Sequence, residues 1–226
     1  MTAMKWNFNH DHIDALIKLA TDYKTNIRIN VLKPTEHRHA NLIVTRQQYF
    51  DGFKHLMKQC ESIEVGDPVL AALYNKKQAK KCPCGKSSFR IHSITPEGEI
   101  FVSPCVYLHD YKSKLNLIKH DLIDIINSNE FRLFRQRHKN PSNIHGCKNC
   151  SLIDKCGGGC AANAYLHHWI NTGKRSFKEQ DPYCPLEYWK ESGDDFPQDS
   201  GAQTDHTLVH MNYLCTWIGT IKTCLY

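Results

Sequence analysis

Cys147-Lys-Asn-Cys150-Ser-Leu-Ile-Asp-Lys-Cys156-Gly-Gly-Gly-Cys160 is the stretch from which the rest of this chain is best interpreted. It places four thiols within fourteen residues, in the spacing C-x2-C-x5-C-x3-C. Thiolates this close together repel one another unless a positive group lies between them. The groups that soft sulfur ligands select are zinc and iron–sulfur clusters, so the stretch predicts a metal centre.

Four further cysteines extend this pattern on both sides. Cys82, Cys84 and Cys105 precede the stretch and Cys184 follows it, so eight of the eleven cysteines lie between residues 82 and 184. The first residues of the chain are polar and lack the apolar core of a secretory signal. We therefore expect a cytoplasmic location, where clustered cysteines indicate metal or redox chemistry rather than disulfide bonds.

Composition narrows the classes of function. With 226 residues, 41% of them apolar, the chain can bury a substantial core as one large domain or two small ones. No run approaches the roughly 18 apolar residues of a membrane span. The net charge of +6 is mild and its Lys and Arg residues are scattered. We therefore expect neither a membrane nor a nucleic acid among the partners.

Residues 1–75 alternate helix and strand patterns. Residues 9–23 have apolar side chains at helical spacing after Asn9, a residue type that caps helices. Residues 26–32 alternate apolar and polar side chains like a strand, and Thr45-x-x-Gln48 is a capping-box sequence that opens a second helix. This order is typical of an α/β architecture with parallel strands. The segment is too short to close a sheet alone and predicts the end of a larger α/β unit.

The composition changes at a charged stretch near residue 76. Residues 76–190 contain the eight clustered cysteines, a β-hairpin pattern around Thr95-Pro-Glu-Gly98, and a helical pattern over 119–137 that breaks at Asn127-Ser-Asn129. Residues 191–226 predict a flexible linker and a C-terminal tail.

Three cysteines stand apart from the cluster. Cys60 falls on the apolar face of the second predicted helix and is interpreted as a core residue. Cys215 and Cys224 lie in the tail and do not fit the spacing of the others.

The cysteine order resembles the SPASM domain, the auxiliary-cluster domain at the C-terminus of many radical S-adenosylmethionine (SAM) enzymes. The resemblance covers roughly residues 82–188, and the preceding segment is more weakly similar to the last strands and helices of a radical SAM partial barrel. The fold implied is α+β: a C-terminal piece of a partial (β/α) barrel, then a small cysteine-rich domain with a β-hairpin and short helices. Besides the cysteines, the resemblance is carried by Thr95-Pro-Glu-Gly98-Glu-Ile100, Lys155-Cys-Gly-Gly-Gly-Cys160 and Asp181-Pro-Tyr-Cys184.

The resemblance implies two auxiliary 4Fe–4S clusters with interleaved ligands. The ligands implied for the first, cluster I, are Cys82, Cys84, Cys105 and Cys160. The ligands implied for the second, cluster II, are Cys147, Cys150, Cys156 and Cys184. In this family a barrel strand borders the SAM pocket. Arg28 and Asn30, on one face of the strand predicted over 26–32, are candidates for contacting SAM.

The resemblance also implies a function. Its members mostly modify peptides or proteins, and their auxiliary clusters transfer electrons and position the substrate. The chain contains no C-x3-C-x2-C motif, which in the family holds the SAM-cleaving cluster. We therefore expect the chain to be inactive alone, as a fragment or as a module beside a chain that carries the motif. Its other expected partner is a peptide or protein substrate.

Some features depart from the family pattern, and one alternative stays open. Six residues rather than the usual four separate Gly98 from Cys105, and Cys82 competes with Cys84 for the position of first ligand. Val106 stands where sulfatase-maturing members have Asp, which indicates another branch. Because C-x2-C pairs also build zinc sites, the alternative is a structural zinc-binding interaction module.

Overall fold

The computed structural model describes residues 1–73, 84–86, 88–186, 188 and 216–221, with the backbone alone for 61–64 and 216–221. Its strands are β1 (Thr2–Ala3), β2 (Ile27–Val31), β3 (Cys60–Val65), β4 (Arg90–Ile91), β5 (Val102–Ser103) and β6 (Thr216–Ile221). Its α-helices are α1 (His10–Asp22), α2 (Arg46–Gln59), α3 (Pro68–Leu73), α4 (Leu122–Ile126), α5 (Asn129–Lys139), α6 (Ile153–Cys156) and α7 (Ala161–Thr172). Two 3-10 helices span His37–Leu42 and Pro141–Asn143.

The larger sheet has the strand order β1-β2-β6-β3 and is mixed. β1 is parallel to β2, but β6 lies between β2 and β3 and is antiparallel to both. The expectation of a parallel α/β sheet was therefore wrong for the middle of the sheet. The inserted strand comes from the far end of the chain, and the local alternation of helix and strand patterns contains no information about it.

Local sequence signals correctly predicted where the first two helices begin. The Asn9 side chain accepts a hydrogen bond from the His12 backbone N–H (3.1 Å), so α1 begins at His10. The Thr45 hydroxyl accepts from the Gln48 N–H (3.2 Å), and both halves of the predicted capping box are present. Cys60 does not lie on the apolar face of α2, in contrast to the prediction. That helix ends at Gln59, and Cys60 is the first residue of β3.

The helical pattern over 119–137 breaks as predicted, into α4 and α5 on either side of Asn127 and Ser128. The short strands β4 and β5 pair antiparallel in a separate two-stranded sheet. Between them Gly98 has φ +77° and its N–H donates to the Thr95 carbonyl (2.9 Å), a backbone conformation that favours glycine. None of the helices among the described residues is long and apolar enough to cross a membrane.

A stack of two tyrosines packs the stretch around Tyr183 onto the first segment of the chain. The rings of Tyr49 in α2 and Tyr183 lie 4.1 Å apart and nearly parallel. The Tyr183 hydroxyl donates to the Val44 carbonyl (3.0 Å), and the Tyr49 hydroxyl donates to the Asp67 carboxylate (3.0 Å). Because both hydroxyls are bonded inside the core, this contact fixes the position of the neighbouring Cys184 against the α/β segment.

Candidate metal centre

Four cysteines converge on one cavity. They come from three places in the chain: the loop after the second 3-10 helix, the end of α6, and the stretch Asp181–Cys184, here called the closing motif. The cysteines that line this cavity are Cys147, Cys150, Cys156 and Cys184. These are the residues that the resemblance implies for cluster II, and the fold brings all four together.

The three glycines between Cys156 and Cys160, here called the glycine turn, all have positive φ. The angles are +57° at Gly157, +81° at Gly158 and +76° at Gly159. A Cβ on Gly158 would overlap the Ile144 side chain, and one on Gly159 would lie 2.5 Å from the Asp181 Cβ. Glycine is therefore required at these two positions for conformation and for space.

A buried carboxylate joins the glycine turn to the closing motif. The Asp181 side chain accepts hydrogen bonds from the backbone N–H groups of Cys160 (2.7 Å) and Tyr183 (3.0 Å). Burial raises the pKa of Asp181 to about 6. The sequence predicted the closing motif but not that Asp181 links it to the glycine turn. The only sequence feature that points to this role is the Asp-Pro-Tyr-Cys motif itself.

Three of the four cysteines implied for cluster I also lie together. Cys84, Cys105 and Cys160 are buried in one apolar group, packed with residues that include Leu108 and Phe134. Cys82 lies outside the described residues. The Arg135 guanidinium donates to the carbonyl of Gly85 (2.8 Å), which positions the chain directly after Cys84.

Burial raises the pKa of three of the thiols that line the first cavity, those of Cys147, Cys156 and Cys184. Burial, and then the neighbouring thiols, raise the pKa of Cys147, and burial likewise raises the pKa of Cys156. Burial raises the pKa of Cys184 to about 11. A soft metal centre would deprotonate these thiols on binding. Two gathered sets of sulfur donors fit iron–sulfur clusters chemically. Within the described ranges, no three His, Cys, Asp or Glu side chains converge as tightly as a single ion requires.

Comparison with known proteins agrees with this chemistry. The SPASM family, described as an iron-sulfur cluster-binding domain, matches residues 82–151. Residues 82–151 thus correspond to a SPASM domain. The comparison with curated proteins found no match.

Most of the chain shares a fold with a solved structure described as native anSMEcpe with bound AdoMet and Cp18Cys peptide. The TM-score is 0.52 at 14% sequence identity, over 85% of this chain and 54% of that one. At this identity the similarity shows the fold alone. The chain spans about half the length of that structure.

The candidate SAM residues lie on the sheet rather than in the SPASM domain. Arg28 and Asn30 are half-buried on β2, on the face opposite the buried Ile27, Ile29 and Val31. Neither residue lines the thiol cavity. Their contact with SAM stays a prediction.

A buried histidine lies where α7 meets the tyrosine stack. His167 is 6% exposed, its ring lies edge-on to Tyr183 at 5.6 Å, and its Nε2 has no hydrogen-bond partner among the described residues. Burial, helped by the charge of Lys33, lowers the pKa of His167 to about 4. Sequence patterns did not reveal this environment, because His167 and His168 are adjacent on one helix and only tertiary packing decides which of them is buried.

His167 should make stability depend on pH. Below pH 6.5 His167 is protonated in the unfolded chain but stays neutral in the folded chain until the pH approaches 4. The free energy of unfolding should therefore fall as the pH falls. Between pH 7 and pH 5 this contribution is about 2 kcal/mol. In guanidinium unfolding, His167→Gln should remove this pH-dependent contribution, whereas His168→Gln, at a less buried position, should retain it. Equal pH dependence in wild type and His167→Gln would contradict the prediction.

Proposed function

We propose that this chain is the auxiliary cluster-binding part of a radical SAM enzyme that matures a peptide or protein. The observation that carries the proposal is the arrangement of cysteines: two gathered sets of thiols lie on either side of one glycine turn. Two sets of four cysteines could also fill two zinc sites, and the match of residues 82–151 to an iron-sulfur cluster-binding domain is what favours clusters.

We infer three segments and two ligand sets. Residues 1–75 would be the last part of the radical SAM barrel, 76–190 the SPASM domain with two clusters, and 191–226 a linker and tail, in which β6 returns to the sheet. The proposed ligands of cluster I are Cys82, Cys84, Cys105 and Cys160. The proposed ligands of cluster II are Cys147, Cys150, Cys156 and Cys184.

The residues of the chain would hold and orient these groups. The glycine turn lets Cys156 and Cys160 face different clusters, and Asp181 fixes the turn against the closing motif through the Cys160 N–H. The Tyr49–Tyr183 stack sets the distance between the SPASM domain and the sheet, where SAM would bind. When bound, the clusters would accept and pass on electrons from the modified substrate.

A peptide or protein is the substrate class that we infer. The structure with the similar fold holds AdoMet and a Cp18Cys peptide, which supports this class for the complete enzyme. Because the sequence has no C-x3-C-x2-C motif, we propose that SAM cleavage requires a chain that supplies it.

Metal content tests the proposal directly. Chain purified and reconstituted without oxygen should be brown, absorb broadly near 400 nm, and contain about eight irons and matching sulfide. A zinc module would instead be colourless and retain about two zinc ions with no sulfide. That second result, obtained after both metals are offered, would contradict the proposed function.

A further inference from the structure

One buried arginine bonds in or beside two of the three stretches that carry the proposed cluster II ligands. Arg137 lies in the last turn of α5 and is 4% exposed. Its Nη2 donates to the carbonyl of Gly158 in the glycine turn (2.6 Å). Its Nη1 donates to the carbonyls of Phe177 (2.6 Å) and Glu179 (2.7 Å), just before the closing motif. A single side chain therefore spans the two stretches and sets their separation.

No carboxylate among the described residues forms a direct ion pair with this arginine. All three of its hydrogen bonds go to neutral backbone carbonyls, and its Nε has no partner among the described residues. Taking a cation out of water is costly unless opposite charge or several oriented dipoles replace the water. The three carbonyls supply the dipoles, so a positive charge remains inside the domain.

The surrounding negative groups are the metal-centre residues. Burial lowers the pKa of Arg137, while the Asp181 carboxylate and thiolates of the two ligand sets act in the opposite direction. The thiolates that interact with its charge are those of Cys160, Cys147 and Cys156. The bond from Arg137 to the carbonyl of Gly158, which is two residues from both Cys156 and Cys160, places the charge beside the sulfur ligands, and a buried charge is screened little by salt.

A nearby positive charge changes the redox balance of a cluster. Reduction adds one negative charge to an iron–sulfur cluster, and the potential depends on net charge and hydrogen bonding around it. A fixed cation stabilises the reduced form more than the oxidised form and so raises the reduction potential.

We propose that Arg137 is a positioning residue for cluster II and that its charge makes this cluster easier to reduce. The inference rests on the proposed function, because it assumes that Cys147, Cys150, Cys156 and Cys184 hold a cluster. It assigns a role to a residue on α5 that belongs to none of the cysteine motifs.

The test is a redox titration of both clusters by electron paramagnetic resonance in the full, reconstituted chain. Arg137→Gln keeps a donor for the carbonyls but removes the charge. At a fixed potential, its ratio of reduced to oxidised cluster II should fall about tenfold or more, which is 59 mV for a one-electron couple. Arg137→Lys, which keeps the charge, should stay within about threefold of wild type. Arg132→Gln loses an exposed charge from the same helix and should also stay within about threefold.

The possible failures are distinguishable. A wild-type chain without iron would overturn the proposed function and this inference together. Two bound clusters with an unchanged cluster II ratio in Arg137→Gln would overturn only the role of Arg137. If Arg137→Gln binds cluster I alone, retention of cluster II by Arg137→Lys supports the role of the charge. Loss of cluster II from both variants would overturn that role and leave only the hydrogen-bonding one.

Discussion

Cys156→Ser should reduce the iron content of the reconstituted chain from about eight to about four atoms, because one of two 4Fe–4S clusters would lose a ligand. Cys156 lines the same cavity as Cys147, Cys150 and Cys184, and none of these three can replace it as a ligand. Since cluster binding also supplies folding free energy, the variant should unfold at lower temperature. Iron and sulfide analysis, with paramagnetic resonance of the reduced protein, measures the loss.

A second variant, Cys160→Ser, tests whether the two cysteines that flank the glycine turn belong to different clusters. Cys160 lies four residues further on, in the other thiol group, so its loss should remove cluster I and leave the resonance of cluster II. The matched control is Cys60→Ser, a buried cysteine at the start of β3 that should keep the full iron content. If Cys156→Ser and Cys160→Ser abolish the same signal, or if neither lowers the iron content, the interleaved assignment is wrong.

Gly159→Ala should lower the apparent Tm by about 10 °C and impair cluster binding. An alanine there would be held in the left-handed region, at a cost of about 1–2 kcal/mol, and its Cβ would lie 2.5 Å from the Asp181 Cβ. Asp181 cannot move aside cheaply, because its carboxylate is bonded to two backbone N–H groups. Overpacking of this kind adds about 1–3 kcal/mol.

The glycine turn contains its own control. Gly157 also has positive φ, but a Cβ there would meet no atom within 4 Å. Gly157→Ala therefore bears only the conformational cost and should lower the apparent Tm by about 4 °C, with full iron content. Thermal unfolding by circular dichroism and iron analysis compare the two variants. Equal effects of the two substitutions would show that contact with Asp181 is unimportant.

The sequence predicted the features that depend on neighbouring residues. Asn9 and Thr45 cap their helices through bonds to residues three positions away, and the break at Asn127 is equally local. The family resemblance likewise implied which thiols would gather, and the fold brings together all four cysteines of one implied set and three of the other. Their role as ligands stays a prediction.

The features that the sequence did not reveal join residues far apart in the chain. Arg137 reaches a carbonyl 21 residues away and two others 40 and 42 residues away, yet in sequence it is an ordinary charged residue of an amphipathic helix. Tyr183 bonds to a carbonyl 139 residues earlier. Such contacts depend on how elements dock, which hydrophobic periodicity does not specify.

The position of β6 has a practical consequence for dissecting the molecule. Cutting the chain after residue 190 would remove the strand that hydrogen-bonds to both β2 and β3. Each of those strands would then present unsatisfied backbone groups to solvent, and bare edges of this kind recruit other chains and aggregate. The cysteine-rich part cannot be studied by trimming the C-terminus alone. A soluble minimal protein would have to keep the terminal strand or give up the whole first sheet with it.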